Sequence, residues 1–301
     1  MWKWRDYEFD VVKCSIEIAD LKEGETLLPI SLHDLYGDVV CIADNVGQPS
    51  ISSEDIQQGS LGDCWLLSGL AAIADKFPSE IPRCIVYSAP DHDYTIVKLH
   101  NTYIAVDHVI PVVFKNGTPV RALAPKLSGE REYWPIVVEK AFIKYFGSGL
   151  CHVECTLMNK HKRMNRRVRT SGYHYSDIHG GFPRWVFMII FGVNLQSLNT
   201  ASQGSSWVDV LGRPGLVACA CTSLEQNDSV LDQGFVYGHA YSILGVDPQR
   251  KLIRVRNPWG QYENTDYDDG VNDGAFWVNE QVFRKRFPTI CLLYRQVARV
   301  R

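Results

Sequence analysis

The strongest constraint on the fold lies between residues 237 and 257, where two alternating segments flank a turn. Tyr237-Gly238-His239-Ala240-Tyr241-Ser242-Ile243-Leu244-Gly245-Val246 reads as a strand, Asp247-Pro248-Gln249-Arg250 as a turn, and residues 251–257 as the returning strand. A hairpin centred near Pro248 puts His239 and Asn257 at equal distances from the turn, directly opposite each other. Opposed residues of an antiparallel pair hold their Cβ atoms ~4.5–5.5 Å apart on one face. An asparagine amide oxygen can there accept the proton of one imidazole nitrogen. That fixes the tautomer and leaves the other nitrogen free to face a thiol. Trp259 follows Asn257 closely enough to shield the bond from water.

A thiol suited to that role stands far upstream. Gln57-Gln58-Gly59-Ser60-Leu61-Gly62-Asp63 runs directly into Cys64, and residues 64–77 are continuously apolar up to Pro78, as in a buried helix. The two glycines permit tight, unusual backbone geometry, and Asp63 is a good helix cap. Cys64 thus sits on a first helical turn, where free N–H groups and the macrodipole favour a thiolate. The amide of Gln58 is placed to reach back toward a developing oxyanion. A cysteine taken alone is more often an inert core thiol, and one hairpin histidine can be incidental. A base, its orienter and a helix-start cysteine together point to nucleophilic catalysis.

The rest of the chain reads as strands over 94–99, 103–106 and 109–114, a helix over 133–146 stopped by Gly147, and strands over 216–221 and 275–278. A helix-led first half and a strand-led second half predict an α+β protein of two lobes with a cleft between them. The expected divisions are an N-terminal segment, 1–50, with no assigned chemistry; a helical lobe, 51–160, carrying Cys64; and a β-rich lobe, 161–301, carrying His239 and Asn257. A basic stretch near the boundary (Lys160, Lys162, Arg163, Arg166, Arg167, Arg169) reads as a solvated loop and a candidate autolysis site. Cys151, His152, Cys155 and His161 have zinc-binding chemistry but not zinc-site spacing. Cys219 and Cys221 alternate on one strand face and read as packing residues.

Composition narrows the setting. A net charge of −3 gives no footprint for nucleic acid or an anionic membrane. The longest apolar stretch, 185–193, is about half of the ~18–20 residues a bilayer span needs, and reads as buried core. Met1-Trp2-Lys3-Trp4-Arg5-Asp6 lacks the apolar core of a signal peptide. The nine cysteines follow no secreted-scaffold spacing. A cytoplasmic location, where a free thiol survives, is the expectation.

Three blocks in this order resemble calpain-type cysteine proteases: Gln58-Gly59-Ser60-Leu61-Gly62-Asp63-Cys64-Trp65-Leu66-Leu67, Gly238-His239-Ala240-Tyr241 and Arg256-Asn257-Pro258-Trp259-Gly260. Two quieter stretches are also similar, from Glu132-Tyr133-Trp134 to Glu139-Lys140-Ala141, and Asp273-Gly274-Ala275-Phe276-Trp277. The resemblance spans residues 55–293 and covers a catalytic core only, without the C2-like sandwich or calcium-binding hand domain usual in that family. It implies a papain-like fold, with a helical lobe packed against a β-rich lobe and the active-site cleft between them. It also implies limited proteolysis of protein substrates, with Cys64 as nucleophile, Gln58 as oxyanion donor, His239 as base and Asn257 as its orienter. The alternatives are a catalytically silent regulatory or scaffold protein on the same fold, and a Cys-His acyl-transfer enzyme acting as deamidase or transglutaminase.

The sequence also departs from that family. It lacks the usual Phe-Pro-Pro and Trp-Lys-Arg-Pro signals near the N-terminus, and residues 149–170 resemble an insertion of about ten residues. The chemistry requires no cofactor; calcium is a candidate activator. The resemblance implies Asp55, Glu263 and Asp273 as calcium ligands. However, Tyr173 and Ala275 stand where the family usually has carboxylates, which Asp266, Asp268 and Asp269 could replace.

Overall fold

The computed structural model describes residues 3–42, 44–45, 48–127, 131–147, 173–202, 204–223, 235–261 and 270–295. The basic stretch, the Cys151–His161 group, the lobe boundary expected near 160, and Glu263 with its neighbouring aspartates lie outside them. Helices alternate with several antiparallel sheets, the α+β class expected. The chain forms two compact units interleaved along the sequence. One takes in 1–50, 59–62 and 82–179; the other takes in 51–58, 63–81 and 180–301.

In the first unit, β1 (Glu25–Ser31) precedes a short hairpin of β2 (Asp44–Asn45) and β3 (Gln48–Pro49). A meander follows, of β4 (Ile85–Ala89), β5 (Tyr94–Leu99) and β6 (Thr102–Asp107). β7 (Val109–Lys115) pairs with β8 (Thr118–Ala122) on one side and with β1 on the other, from Glu25↔Lys115 to Ser31↔Val109. The N-terminal segment, chemically silent in sequence, therefore supplies an edge strand. It also buries Phe9 and Asp6.

The helix Trp134–Gly147 is buried along most of its length, and its Lys140 is fully buried. That ammonium donates to the Asp107 carbonyl at 2.8 Å, to the Val109 carbonyl at 2.7 Å and to the Asp107 carboxylate. The other oxygen of that carboxylate accepts the Asp6 N–H at 3.1 Å. One buried ion pair thus fastens the β6–β7 turn, the helix and the N-terminal segment.

In the second unit, the strands β9 (Leu198–Asn199), β10 (Leu216–Cys221), β11 (Ala240–Asp247), β12 (Leu252–Arg256), β13 (Ala275–Asn279) and β14 (Thr289–Tyr294) form one sheet. Its order is β13-β12-β11-β10-β14-β9. Trp207, Tyr241, Phe276, Phe283 and Phe287 are central to the core on one side of it. The helix Cys64–Lys76 is buried from Trp65 through Ala74, as an all-round apolar sequence demands. It packs on Pro183–Phe191, the apolar stretch expected to be core, and a Cβ at Gly69 would stand 2.7 Å from Val186. Pro at the first position opens that second helix, and Gly192 at φ 67° closes it. No helix of the described residues is long and apolar enough to cross a membrane.

Candidate active site

Gln58, Cys64, His239, Asn257 and Trp259 all belong to the second unit. The Cys64 helix is set by polar bonds to the sheet. The Ser68 carbonyl, one turn after Cys64, accepts the Ser242 hydroxyl at 2.9 Å and the Cys219 thiol at 3.4 Å. At the far end of the helix, Lys76 donates to the Leu244 carbonyl. Helix and β11 therefore run in the same direction, and Cys64 comes to the end of β11 that His239 precedes. Burial pushes the Cys221 thiol and the Tyr241 hydroxyl up, and the nearby charge of Cys64 adds to both shifts. Cys64 itself is half-buried.

The hairpin differs from the expected one in register. Asp247 pairs with Leu252, and an irregularity between Ile243 and Gly245 shifts the ladder so that Ser242 faces Arg256. His239 and Asn257 are therefore not cross-strand partners. Each lies one residue beyond the paired strands, offset along the same face. Diagonal neighbours on one face remain within reach of long side chains, and the imidazole spans the offset: His239 Nε2 is 2.8 Å from Asn257 Oδ1. The Trp259 N–H also donates to that oxygen, at 3.0 Å. This second donor fixes which amide atom is oxygen, so Nε2 carries the proton and Nδ1 is left for another partner. Trp259 lies 4.9 Å from the imidazole, centroid to centroid, and Tyr241 lies 5.1 Å away, edge-on.

The glycines before Cys64 act differently from the expectation. Neither Gly59 nor Gly62 has a positive φ. A Cβ at Gly59 would collide with the Leu123 and Ala124 carbonyls, and one at Gly62 with the His179 ring. Close approach, rather than backbone freedom, requires them. Asp63 occupies the N-cap position but makes no capping hydrogen bond from its buried side chain.

Three contributors had no role in the sequence reading. The Thr222 hydroxyl accepts the His239 N–H at 2.9 Å and donates to Val236 at 2.6 Å, while the Thr222 N–H donates to the His239 carbonyl at 2.9 Å. Ser68 registers the helix. Arg256, almost fully buried, donates to the Ile56 carbonyl at 2.9 Å. Only Arg256 carried a signal, as the first residue of the family-like stretch Arg256-Asn257-Pro258-Trp259-Gly260.

These residues lie within a longer match: the chain fits the model for the calpain family of cysteine proteases across residues 40–277. The chain belongs to that family. It is similar to Calpain-13 of Rattus norvegicus, at 24% identity over 77% of this chain and 36% of that protein. Similarity to the Calpain-2 catalytic subunit of Gallus gallus is 28% identity, over 70% of this chain and 28% of the relative. For the Calpain-type cysteine protease DEK1 of Zea mays it is 27%, over 81% and 12%. This calpain-family chain thus spans roughly a third or less of the length of each.

Of the three carboxylates implied for calcium, Asp55 and Asp273 are described. Asp55 accepts the Ser52 N–H at 2.8 Å in a capping box, and Asp273 accepts the Ala275 N–H at 2.7 Å. Both also act electrostatically on the Arg256 guanidinium. Among the described residues, no group of three or more His, Cys, Asp or Glu could hold a metal.

Proposed function

We propose that this calpain-family protease domain is an active cysteine endopeptidase, cleaving protein substrates through Cys64, His239 and Asn257. The observation that carries this reading is the short His239–Asn257 bond beside the end of β11 to which the Cys64 helix is registered. The Cys64 thiolate attacks a peptide carbonyl, and the tetrahedral oxyanion is met by the Cys64 N–H and the Gln58 side-chain amide. His239, protonated at Nδ1, gives that proton to the departing amine, leaving an acyl-enzyme. The neutral ring then takes a proton from water, whose hydroxide adds to the thioester; collapse releases the carboxylic product and expels the Cys64 thiolate beside the reprotonated imidazole. Asn257 holds the ring throughout, and Trp259 covers the bond. No step runs through a metal.

The test is labelling of the purified protein with an epoxysuccinyl thiol inhibitor, in calcium and in chelator, alongside cleavage of a denatured protein. Labelling at Cys64, with cleavage reduced at least about 10³-fold in Cys64→Ala, is the expected outcome. Labelling in calcium alone makes calcium an activator; labelling in both conditions makes it dispensable. Cleavage that survives in Cys64→Ala sinks the assignment. Ammonia release from glutamine without peptide cleavage moves it to acyl transfer, and an unreactive Cys64 in both conditions moves it to a silent regulatory protein.

A further inference from the structure

Residues 56–58 are stitched to residues 256–260 at three points. Arg256 Nη2 donates to the Ile56 carbonyl at 2.9 Å, and the Gln58 N–H donates to the Pro258 carbonyl at 2.8 Å. Gly260, at φ +67°, lies so near that an added Cβ would stand 3.1 Å from Gln57 Cγ and 3.7 Å from Arg256 Nη2. Asn257 sits between two of these tethers, and Gln58 is held by one of them. Asn257 is further pinned through its own backbone, its N–H donating to the Gly274 carbonyl at 2.8 Å.

The Arg256 guanidinium is an unusual choice for a simple fastener. It is 1% exposed, and among the described residues its Nε and Nη1 meet no hydrogen-bond acceptor. Burial brings its pKa down to about 10, against the pull of Asp273, Glu54 and Asp55. A buried donor without a partner is costly, so a cation there needs a purpose beyond one bond to Ile56.

We infer that Arg256 is a positioning residue, holding the segment of the oxyanion donor Gln58 to the turn of the histidine orienter Asn257 so that the two stay in place relative to each other. The inference rests on the triad reading above and adds a coupling between the oxyanion site and the imidazole. Binding energy at an oxyanion appears only in the transition state. Loss of the tether therefore lowers kcat and leaves KM nearly unchanged.

The experiment is a double-mutant cycle on the full chain, with Arg256→Met, Gln58→Ala and the pair, assayed for kcat and KM on a fluorogenic peptide. One oxyanion donor is worth ~10²–10³ in kcat. Arg256→Met is expected to lower kcat about tenfold in the parent and less than about twofold in Gln58→Ala. Arg256→Lys, which keeps a donor for Ile56, recovers part of that loss. Equal losses in both backgrounds, or a loss confined to KM, overturn the inference. Gly260→Ala displaces the same segment without touching the charge and should show the same non-additivity; it decides the matter if Arg256→Met does not fold. An inactive parent with unlabelled Cys64 overturns the triad reading and this inference together. An active parent, a dead Cys64→Ala and an additive cycle overturn this inference alone.

Discussion

Two buried cations, one in each unit, are treated in opposite ways. Lys140 of the first unit has three ammonium protons and three acceptors: the Asp107 carbonyl, the Val109 carbonyl and the Asp107 carboxylate. Arg256 of the second unit has one close acceptor, the Ile56 carbonyl, and two buried nitrogens without one among the described residues. A fully matched buried charge ties segments together and specifies one arrangement. A partly matched one is a local rule broken, and such breaks concentrate where a protein acts. The difference assigns Lys140 to stability and Arg256 to the geometry of the proposed site.

The comparison breaks most readily through stability. Lys140→Met leaves the Asp107 carboxylate buried without its counter-charge, which costs about 3–5 kcal/mol. Urea denaturation should show that loss, while kcat per folded molecule stays within about twofold of the parent. Arg256→Met should show the reverse, a smaller loss of stability and a larger loss of kcat. If both variants lose stability alike and neither changes kcat, the two cations do the same job and the distinction fails.

A second effect, nearly as large, is tied to Lys140 by charge. His108 is buried, with Nε2 2.8 Å from the Thr95 hydroxyl and its ring leaning on Tyr133. Burial first, and then the Lys140 charge, pushes its pKa from 6.5 to about 4, with Lys3 adding to that direction and Asp93 and Asp107 opposing it. The unfolded chain therefore binds a proton between about pH 6.5 and 4 that the folded chain refuses. Stability is whole above that window and is lost as pH falls through it, by about 3 kcal/mol at most. Urea midpoints across the window should fall with pH in the parent and fall less in His108→Gln. In Lys140→Met the window should narrow, because one opposing cation is gone. An unchanged slope in His108→Gln removes His108 as the source of the acid sensitivity.

How much of this was legible in the sequence depends on how local each cause is. The Cys64 helix, the strand beginning at Tyr94 and the strand beginning at Leu216 follow from hydrophobic period and turn residues, which act over a few positions. Juxtaposition of His239 with Asn257 was also legible, but not its register. An irregularity between Ile243 and Gly245 leaves no mark on an alternating pattern. The need for Gly59 comes from the Leu123 and Ala124 carbonyls, and that for Gly62 from His179, neighbours no motif announces. The pairing of β1 with β7 joins segments far apart in the chain, so residues 1–50 carry no assignable role in the sequence alone. Lys140 drew notice only as part of a family-like stretch, and its role depends on carbonyls of another element.

The smallest expected effect sharpens the comparison where the second unit positions a residue without charge. Thr222 offers one hydroxyl to two needs, accepting the His239 N–H and donating to the Val236 carbonyl. Thr222→Val keeps the shape and removes both bonds. It leaves a buried N–H and a buried carbonyl each short of a partner, at a cost of about 1–2 kcal/mol. If that cost falls partly on the placement of the imidazole, kcat drops several-fold with KM unmoved, and Thr222→Ser, which restores the hydroxyl, recovers it. If stability drops and kcat does not, the Thr222 bonds merely close the end of β10. Positioning in the second unit would then rest on the tether between residues 56–58 and 256–260, with Arg256 as its one charged member.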